Sequence, residues 1–494
     1  MDQQFIIKFL IPLLWAFSFV FAPKNKTTAI KLLALIGSLL TFAYSIMFYT
    51  DLVNPGVLTE VAKFSLPQFF GINYKFALDG ISALLLILNA FLLVVVVIAT
   101  WNFETEKLRL YYFLLFTLVW AVNGSLMSTS LYGFYIFWEA MLIPLFILVG
   151  VFGGENRRYA SFKFFMMTAA GSILMLASMC YMSAMAYKLN GSYDLTYEVI
   201  KNLGLRYDGF WSPQSLIFWS FTIAFFLKVP VFPFHSWLPD AHVEAPTAGS
   251  VFLAGILLKL GIYGFLRFVI PFYPQAVDAN REIILYLGAI GVIYGALTAW
   301  VQTDIKKLVA FSSISHMGYI VMGVFSQNAF AIKGAVFQMI AHGISTPGLF
   351  IGVHYLYTRL HTKKLDMYGG LAKVMPRFAV LFFIITAGSM AVPMTCGFVG
   401  EFMITAGVYE MNKVVAILAA TGIILSPIYL LKMYHLTAFG EITHEENKSL
   451  KDISLLECTP MILLSVLTII LGLYPKIVTG LYEGTINFFI NKGM

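Results

Sequence analysis

The stretch FFLKVPVFPFHSWLPDAHVEAPTAGS, residues 225–250, decides how this chain is read. It sets Lys228, His235, Asp240, His242 and Glu244 among Pro230, Pro233, Pro239 and Pro246, with strongly apolar sequence on either side. Charge and helix breakers crowd together in a chain that otherwise avoids both. Of its 494 residues, 60% are hydrophobic and only 12% charged. Soluble domains carry about 25% charged residues, so the composition is that of an integral membrane protein.

The apolar material runs in stretches of about 20 residues, the length of a helix that crosses a hydrocarbon core. Transmembrane strands would alternate apolar and polar positions over about 10 residues instead. The chain is therefore expected to be an all-α polytopic membrane protein with about fourteen spans. One of them, 377–409, is long enough to be broken or tilted. The first apolar stretch lacks a small-residue cleavage site after it and reads as a retained helix. Residues 455–494 read as a C-terminal helix.

Cys180, Cys396 and Cys458 are scattered and make no CxxC pair, disulfide framework or iron–sulfur pattern. The sequence contains no GxxxxGK[ST] phosphate loop and no dinucleotide fingerprint. The net charge of +7 is assigned to loops that fix orientation, and no nucleic-acid partner is expected. One set of loops is the richer in Lys and Arg, including Lys107, Arg109, Arg157, Arg158, Lys306, Lys307, Lys363 and Lys364. Basic loops face the cytoplasm, which puts both termini on the other side.

The chain also resembles itself. KVPVFPFHSWLPD (228–240) is similar to AVPMTCGFVGEFM (391–403), and GILLKLGIY (255–263) to GIILSPIY (422–429). MTAAG (167–171) and MIAHG (339–343) form a third match, in the same order. The matches are five spans apart, so residues 110–271 and 282–437 are expected to be two copies of one five-helix unit, preceded by a three-helix segment, 1–109. An odd number of spans inverts the second copy, and inverted repeats with Pro-broken helices are an ion-transporter architecture. The expected breaks are at Pro230 and Pro233 in one copy and at Pro393 in the other. A proline tolerated for packing alone is the plainer explanation of any single break, but not of breaks at matched positions.

Four charges lie well inside spans: Glu139, Lys228, Lys259 and Glu401. An unpaired charge at the bilayer centre costs at least about 2.5–3.5 kcal/mol, so such residues face the protein interior and mark ion or proton paths. Glu139 and Lys228 make a natural acid–base pair across two helices, Lys259 a carrier beyond it. His316 and His342 exchange protons near neutral pH. Taken singly, a buried Glu–Lys pair is as readily structural as functional, and His354 reads as a packed residue. Lys432 reads as a snorkelling side chain, Asp79 as a helix cap. His235 and His242 are possible points of proton entry, and Asp240 and Glu244 more plausibly shape the turn. A metal at His235 and His242 lacks converging ligands. Haem between His316 and His342 stays open as a rival, as does a membrane spacer that conducts nothing.

KVPVFPFHSWLPDAHVEAPTAGSVFLAGILLKLGIYGFLRF (228–268) and TDIKKLVAFSSISHMGYI (303–320) resemble the antiporter-like subunits of proton-translocating NADH:quinone oxidoreductase, respiratory complex I. The same family includes subunits of multi-subunit sodium/proton antiporters and membrane-bound hydrogenases, which remain alternatives. The resemblance implies that Glu139 and Lys228 are the essential pair of a first half-channel, Lys259 the bridging lysine, and His316 and His342 the connecting path. Glu401 matches the terminal residue of the second half-channel. Most relatives have lysine there, and a glutamate points to the M-type branch. The resemblance further implies that NADH, flavin, iron–sulfur clusters and quinone are bound by partner subunits and no cofactor by this chain. Membrane lipids and L-type and N-type antiporter-like subunits would be its neighbours in a bacterial inner membrane.

Overall fold

The computed structural model describes residues 2–491 except 24, 51, 53–55, 66–71 and 443. Small parts of the segments 1–109 and 455–494 therefore lie outside the described residues.

The chain opens with α1 (Asp2–Phe21) and α2 (Thr27–Thr50), followed by an antiparallel hairpin of β1 (Thr59–Ser65) and β2 (Asn73–Leu78). Next come α3 (Gly80–Ala99), α4 (Leu108–Met127), α5 (Leu131–Ala140), α6 (Leu142–Phe152), α7 (Arg157–Asn190), the short α8 (Tyr197–Lys201), α9 (Pro213–Lys228) and α10 (Trp237–Glu244). The span Thr247–Val269 is composite: α11 (Thr247–Phe252), a π-helical turn (Leu253–Leu257), α12 (Leu258–Gly264) and a second π turn (Phe265–Val269). Then follow α13 (Pro274–Trp300), α14 (Ile305–Phe325), α15 (Ala329–Leu360), the short α16 (Leu371–Val374), α17 (Pro376–Ser389), α18 (Cys396–Met411) and α19 (Lys413–Ala438). The short α20 (Glu445–Lys448), α21 (Leu455–Leu473) and α22 (Lys476–Asn491) end the chain.

The fold is helical and polytopic. Among the described residues, 11 helices are long and apolar enough to cross a membrane, and Phe5–Phe21 and Pro376–Ser389 are shorter apolar helices. The expected spans each coincide with one of these helices, with α9, or with a broken pair. Local chemistry explains the ends. Asp79 caps α3 in a capping box with Ser82, Asp304 caps α14 and Asn328 caps α15. Proline opens α9, α13 and α17, where a missing N–H costs nothing.

Two features depart from the expectation. The hairpin was not anticipated, because its strands are short and lie within a connection. Thr129 N donates to Lys75 O (3.0 Å) and Lys75 Nζ lies 3.1 Å from Glu198, which seats the hairpin on the helices. The expected C-terminal helix is two helices, since the chain turns at Tyr474–Pro475 and Pro475 has no N–H with which to continue α21.

The span Thr247–Val269, α14 and α15 are almost wholly enclosed, whereas α2, α7, α19 and α21 show broad apolar faces. The enclosed helices carry Lys259, His316 and His342, so polar side chains are kept away from lipid. The loops 101–107, 153–156, 301–304, 361–375 and 439–454 share one face, here the basic face. The hairpin, residues 191–212 and 270–273 share the opposite face.

Candidate functional site

Every span that bears one of the expected central charges has a break in its α pattern. The helix of α9 stops at Lys228, and the chain is helical again at Trp237, with Pro230 and Pro233 between. Trp237 Nε1 satisfies the Leu227 carbonyl freed by the break (2.7 Å). In the second case α17 stops at Ser389 and α18 starts at Cys396, with Pro393 between. Ala391 and Met394 there take left-handed backbone (φ 54 and 74), strained for non-glycine residues. Gly472 of α21 lets this loop pack close, since a Cβ on it would sit 2.2 Å from Met394 O. Lys228 precedes its break while Glu401 follows the other, so the two charges occupy different halves of their broken helices. Glu139 sits at the junction of α5 and α6, and Lys259 between two π turns. Single π turns of this kind are frequent at functional sites.

Lys259 is fully buried. Its ammonium donates to the Ala254 carbonyl, inside the first π turn, and lies 2.7 Å from His342 Nδ1. The His342 ring meets the His316 ring edge to face at 5.7 Å between centroids. His316 Nδ1 is 2.7 Å from Glu401 Oε1, which also accepts from Gln338 Nε2 at 3.1 Å. His316 Nε2 is 3.4 Å from Ser389 Oγ at the end of α17. Lys259, His342, His316 and Glu401 thus form a polar row drawn from four helices, with a ring contact in place of a hydrogen bond between the two histidines.

Hydrogen-bond inventory fixes the tautomers of that row in its charged state. An ammonium only donates, so His342 Nδ1 accepts and its proton resides on Nε2; an ionised Glu401 only accepts, so His316 Nδ1 donates. Each histidine therefore turns its Nδ1 to a charged partner; His316 Nε2 faces Ser389 and His342 Nε2 has no partner among the described residues.

The first charge pair is arranged differently. Glu139 and Lys228 are not in hydrogen-bond contact. Glu139 Oε1 and Lys228 Nζ are both buried without a hydrogen-bond partner among the described residues. Lys228 Nζ lies 4.5 Å from the centroid of the Trp138 ring, whose Nε1 donates to Ser172 Oγ (3.1 Å). A cation over a tryptophan face gains roughly 0.5–2 kcal/mol, so the ring holds the charge while the pair stays open.

His242 is fully enclosed, stacks on Phe350 at 4.5 Å, and has both ring nitrogens without partners among the described residues. Phe350 also walls a cavity of about 250 Å³ on the basic face, lined by Glu244, Lys306, His354 and Lys363. His235 packs between Phe232 and Tyr294. Asp240 pairs with Lys163 (2.6 Å), and Glu244 Oε2 accepts from Asn156 N (2.9 Å), which ties α10 to the start of α7. Lys432 reaches the Trp300 carbonyl at the end of α13 (3.1 Å).

Several partners were not foreseen. Trp138 and Gln338 carry no mark in sequence that separates them from other core residues. Lys306, read as a loop cation, is buried, and its Nζ donates to Ala245 O (2.6 Å) at the end of α10. Arg267 was not singled out. It is buried in an ion pair with Asp79, the cap of α3. The run YGFLRFVIPF (263–272) held the signal, an arginine inside apolar sequence eight residues after Lys259.

Residues 128–426 match the family model described as NADH:quinone oxidoreductase/Mrp antiporter, TM. The chain is 39% identical over 460 residues to NADH-quinone oxidoreductase subunit M of Rhodobacter capsulatus, covering 91% of this chain and 88% of that protein. It is 37% identical over 460 residues to the subunit M of Escherichia coli K12, covering 90% and 89%. Among solved structures it superposes on a chain of respiratory complex I from Thermus thermophilus with a TM-score of 0.86 at 28% identity, covering 98% and 99%. It superposes on a chain of the Mrp complex from Dietzia with a TM-score of 0.84 at 20% identity, covering 98% of each, a likeness of fold. The chain belongs to the antiporter-like transmembrane subunits of the NADH:quinone oxidoreductase and Mrp antiporter family, and within it to the subunit M branch.

Proposed function

We propose that this chain is a proton-translocating subunit of the membrane arm of NADH:quinone oxidoreductase, moving protons through buried Glu, Lys and His residues. The observation that carries this is the buried row Lys259–His342–His316–Glu401, hydrogen-bonded at both ends with the two imidazoles in ring contact between. A structural core has no need of ionisable groups at such cost, whereas a proton path requires them.

In this reading protons enter from the basic, cytoplasmic face by the cavity at Glu244 and Lys306 and pass His242. Glu139 and Lys228 form a pair that closes and opens. With the pair open, Lys228 is held by Trp138; with it closed, Glu139 neutralises it and a proton can be exchanged. Lys259 receives the proton and the two histidines carry charge to Glu401. Unpartnered Glu139 Oε1, Lys228 Nζ, His342 Nε2 and Glu401 Oε2 are positions where water completes the path. The driving charge change comes from quinone reduction in partner subunits, which also hold NADH, flavin and iron–sulfur clusters. L-type and N-type antiporter-like subunits flank the chain in the bacterial inner membrane, with both termini outside the cytoplasm.

The test compares native membrane vesicles bearing wild type and Glu139→Ala, after a native gel establishes assembly. NADH-driven quinone reduction and acidification both collapse if Glu139 belongs to the coupled machinery. Wild-type signals in both would make Glu139 structural and remove this reading. A sodium/proton antiporter subunit shares the fold. Dependence of acidification on sodium would favour it.

A further inference from the structure

A cavity of about 810 Å³ lies outside the row just described, on the face opposite the basic loops, lined among others by Asp79, Tyr197, Lys201, Gln214, Arg267 and Gln275. At roughly 30 Å³ per molecule it has space for many waters. In its wall sit Asp79 and Arg267, paired and with side chains 0% and 1% exposed. Such a pair contributes little net stability, because desolvation offsets its attraction, and apolar residues of similar volume would hold the helices as well. Capping α3 requires Asp79 Oδ1, which accepts from Ile81 N and Ser82 N, but does not require Arg267.

The placement of the pair relates it to Lys259. Lys259, Tyr263 and Arg267 are spaced by four residues along one enclosed span, hence on one face at about 6 Å per step. The Arg267 guanidinium lies 5.0 Å from the Tyr263 ring centroid, and Tyr263 Oη donates to Leu126 O (2.6 Å). Lys259 thus bonds His342 across the molecule and shares a helix face with Tyr263, whose ring packs on the cavity-lining Arg267.

We propose that this cavity is a proton-release vestibule for Lys259 and that the Asp79–Arg267 pair is its gate. The inference rests on the reading of Lys259 as a proton carrier. A proton that Lys259 does not pass to His342 leaves its ammonium through water and the Tyr263 hydroxyl, which gives up its own proton as it accepts one. It arrives at Asp79 Oδ2 when Arg267 swings toward the cavity. Asp79 then loses it to cavity water, and the pair closes again. Lys259 is left as the neutral amine, and no other bond changes. Arg267 is a positioning residue that keeps Asp79 ionised between passages.

The test uses the assembled complex in native vesicles, with turnover counted per assembled complex so that a loss of assembly does not enter. Asp79→Asn, Tyr263→Phe and the double variant Asp79→Leu/Arg267→Met are compared with wild type and Lys259→Ala. The vestibule predicts that each lowers NADH-driven acidification at least about fivefold. Arg267→Lys, which keeps the charge, retains at least about half of the rate, a rescue that packing alone does not provide. Tyr263→Phe removes one oxygen and keeps the ring, so it decides the matter even if the double variant fails to assemble. If Tyr263→Phe and Asp79→Asn turn over as wild type while Lys259→Ala is impaired, the vestibule is overturned and the relay stands. If Lys259→Ala also turns over as wild type, the relay itself falls.

Discussion

Lys259 Nζ and His342 Nδ1 lie 2.7 Å apart, across two helices that are both almost wholly enclosed. Removing the ammonium leaves His342 with neither ring nitrogen partnered. Lys259→Ala is expected to assemble but to lose at least about tenfold in NADH-driven quinone reduction and acidification, a barrier increase of about 1.4 kcal/mol. Lys259→Arg keeps the charge but not the compact donor geometry, and falls between. Vesicle acidification with a quinone-reduction assay measures both.

Glu401 is held by His316 Nδ1 and Gln338 Nε2 on the same oxygen. In Glu401→Gln the site keeps an acceptor and loses its negative charge, so the structure is retained and charge transfer from His316 is not. Turnover is expected to drop about tenfold with normal assembly. Glu401→Asp withdraws the carboxylate by one methylene and is expected to be intermediate. Equal rates in wild type and Glu401→Gln would remove Glu401 from the path.

Gly343 adjoins His342 and faces the first π turn. A Cβ there would lie 2.7 Å from Leu88 Cδ2 and 2.9 Å from Gly255 O. The backbone oxygen cannot yield without moving its helix, so Gly343→Ala costs about 1–3 kcal/mol in overpacking. It also pushes α15 away from Lys259, and misplacement by about 1 Å can cost up to about 100-fold in transfer. The expected result is reduced turnover with every ionisable group still present, measured in the same vesicles.

Lys306 satisfies Ala245 O and Lys363 satisfies Val243 O (2.9 Å), both at the end of α10. Lys306→Met leaves a buried carbonyl without its donor, at a cost of about 1–3 kcal/mol. Heating membranes before native electrophoresis should show loss of the intact complex at a temperature lower by a few degrees. An unchanged profile would mean that water replaces the ammonium.

Much of the architecture was legible because a membrane imposes it. Span length, apolar runs and proline positions anticipated the helices, and intramembrane charge singled out Glu139, Lys228, Lys259 and Glu401. What could not be read were the contacts. Sequence paired Glu139 with Lys228, but could not show that no hydrogen bond joins them or that Lys228 rests on Trp138. It ranked Lys306 as a loop cation and passed over Arg267, because each lies near a span end, where burial depends on which helices pack over it. The π turns around Lys259 had no sequence signal of their own, being set by how the span Thr247–Val269 fits among its neighbours.

The opposed orientation of the two histidines has a consequence for order in time. With Lys259 and Glu401 charged, the hydrogens between Lys259 and His342 and between His316 and Glu401 both point toward Glu401. A proton that hops along the row leaves His342 protonated on Nδ1 and His316 on Nε2, so that every bond has reversed its polarity. The row is then unable to accept a second proton from the same end until both imidazoles have turned or water has returned them to their first tautomer. Such a row behaves as a ratchet with one tooth, and the time its rings need to turn back sets a floor under the interval between one stroke and the next.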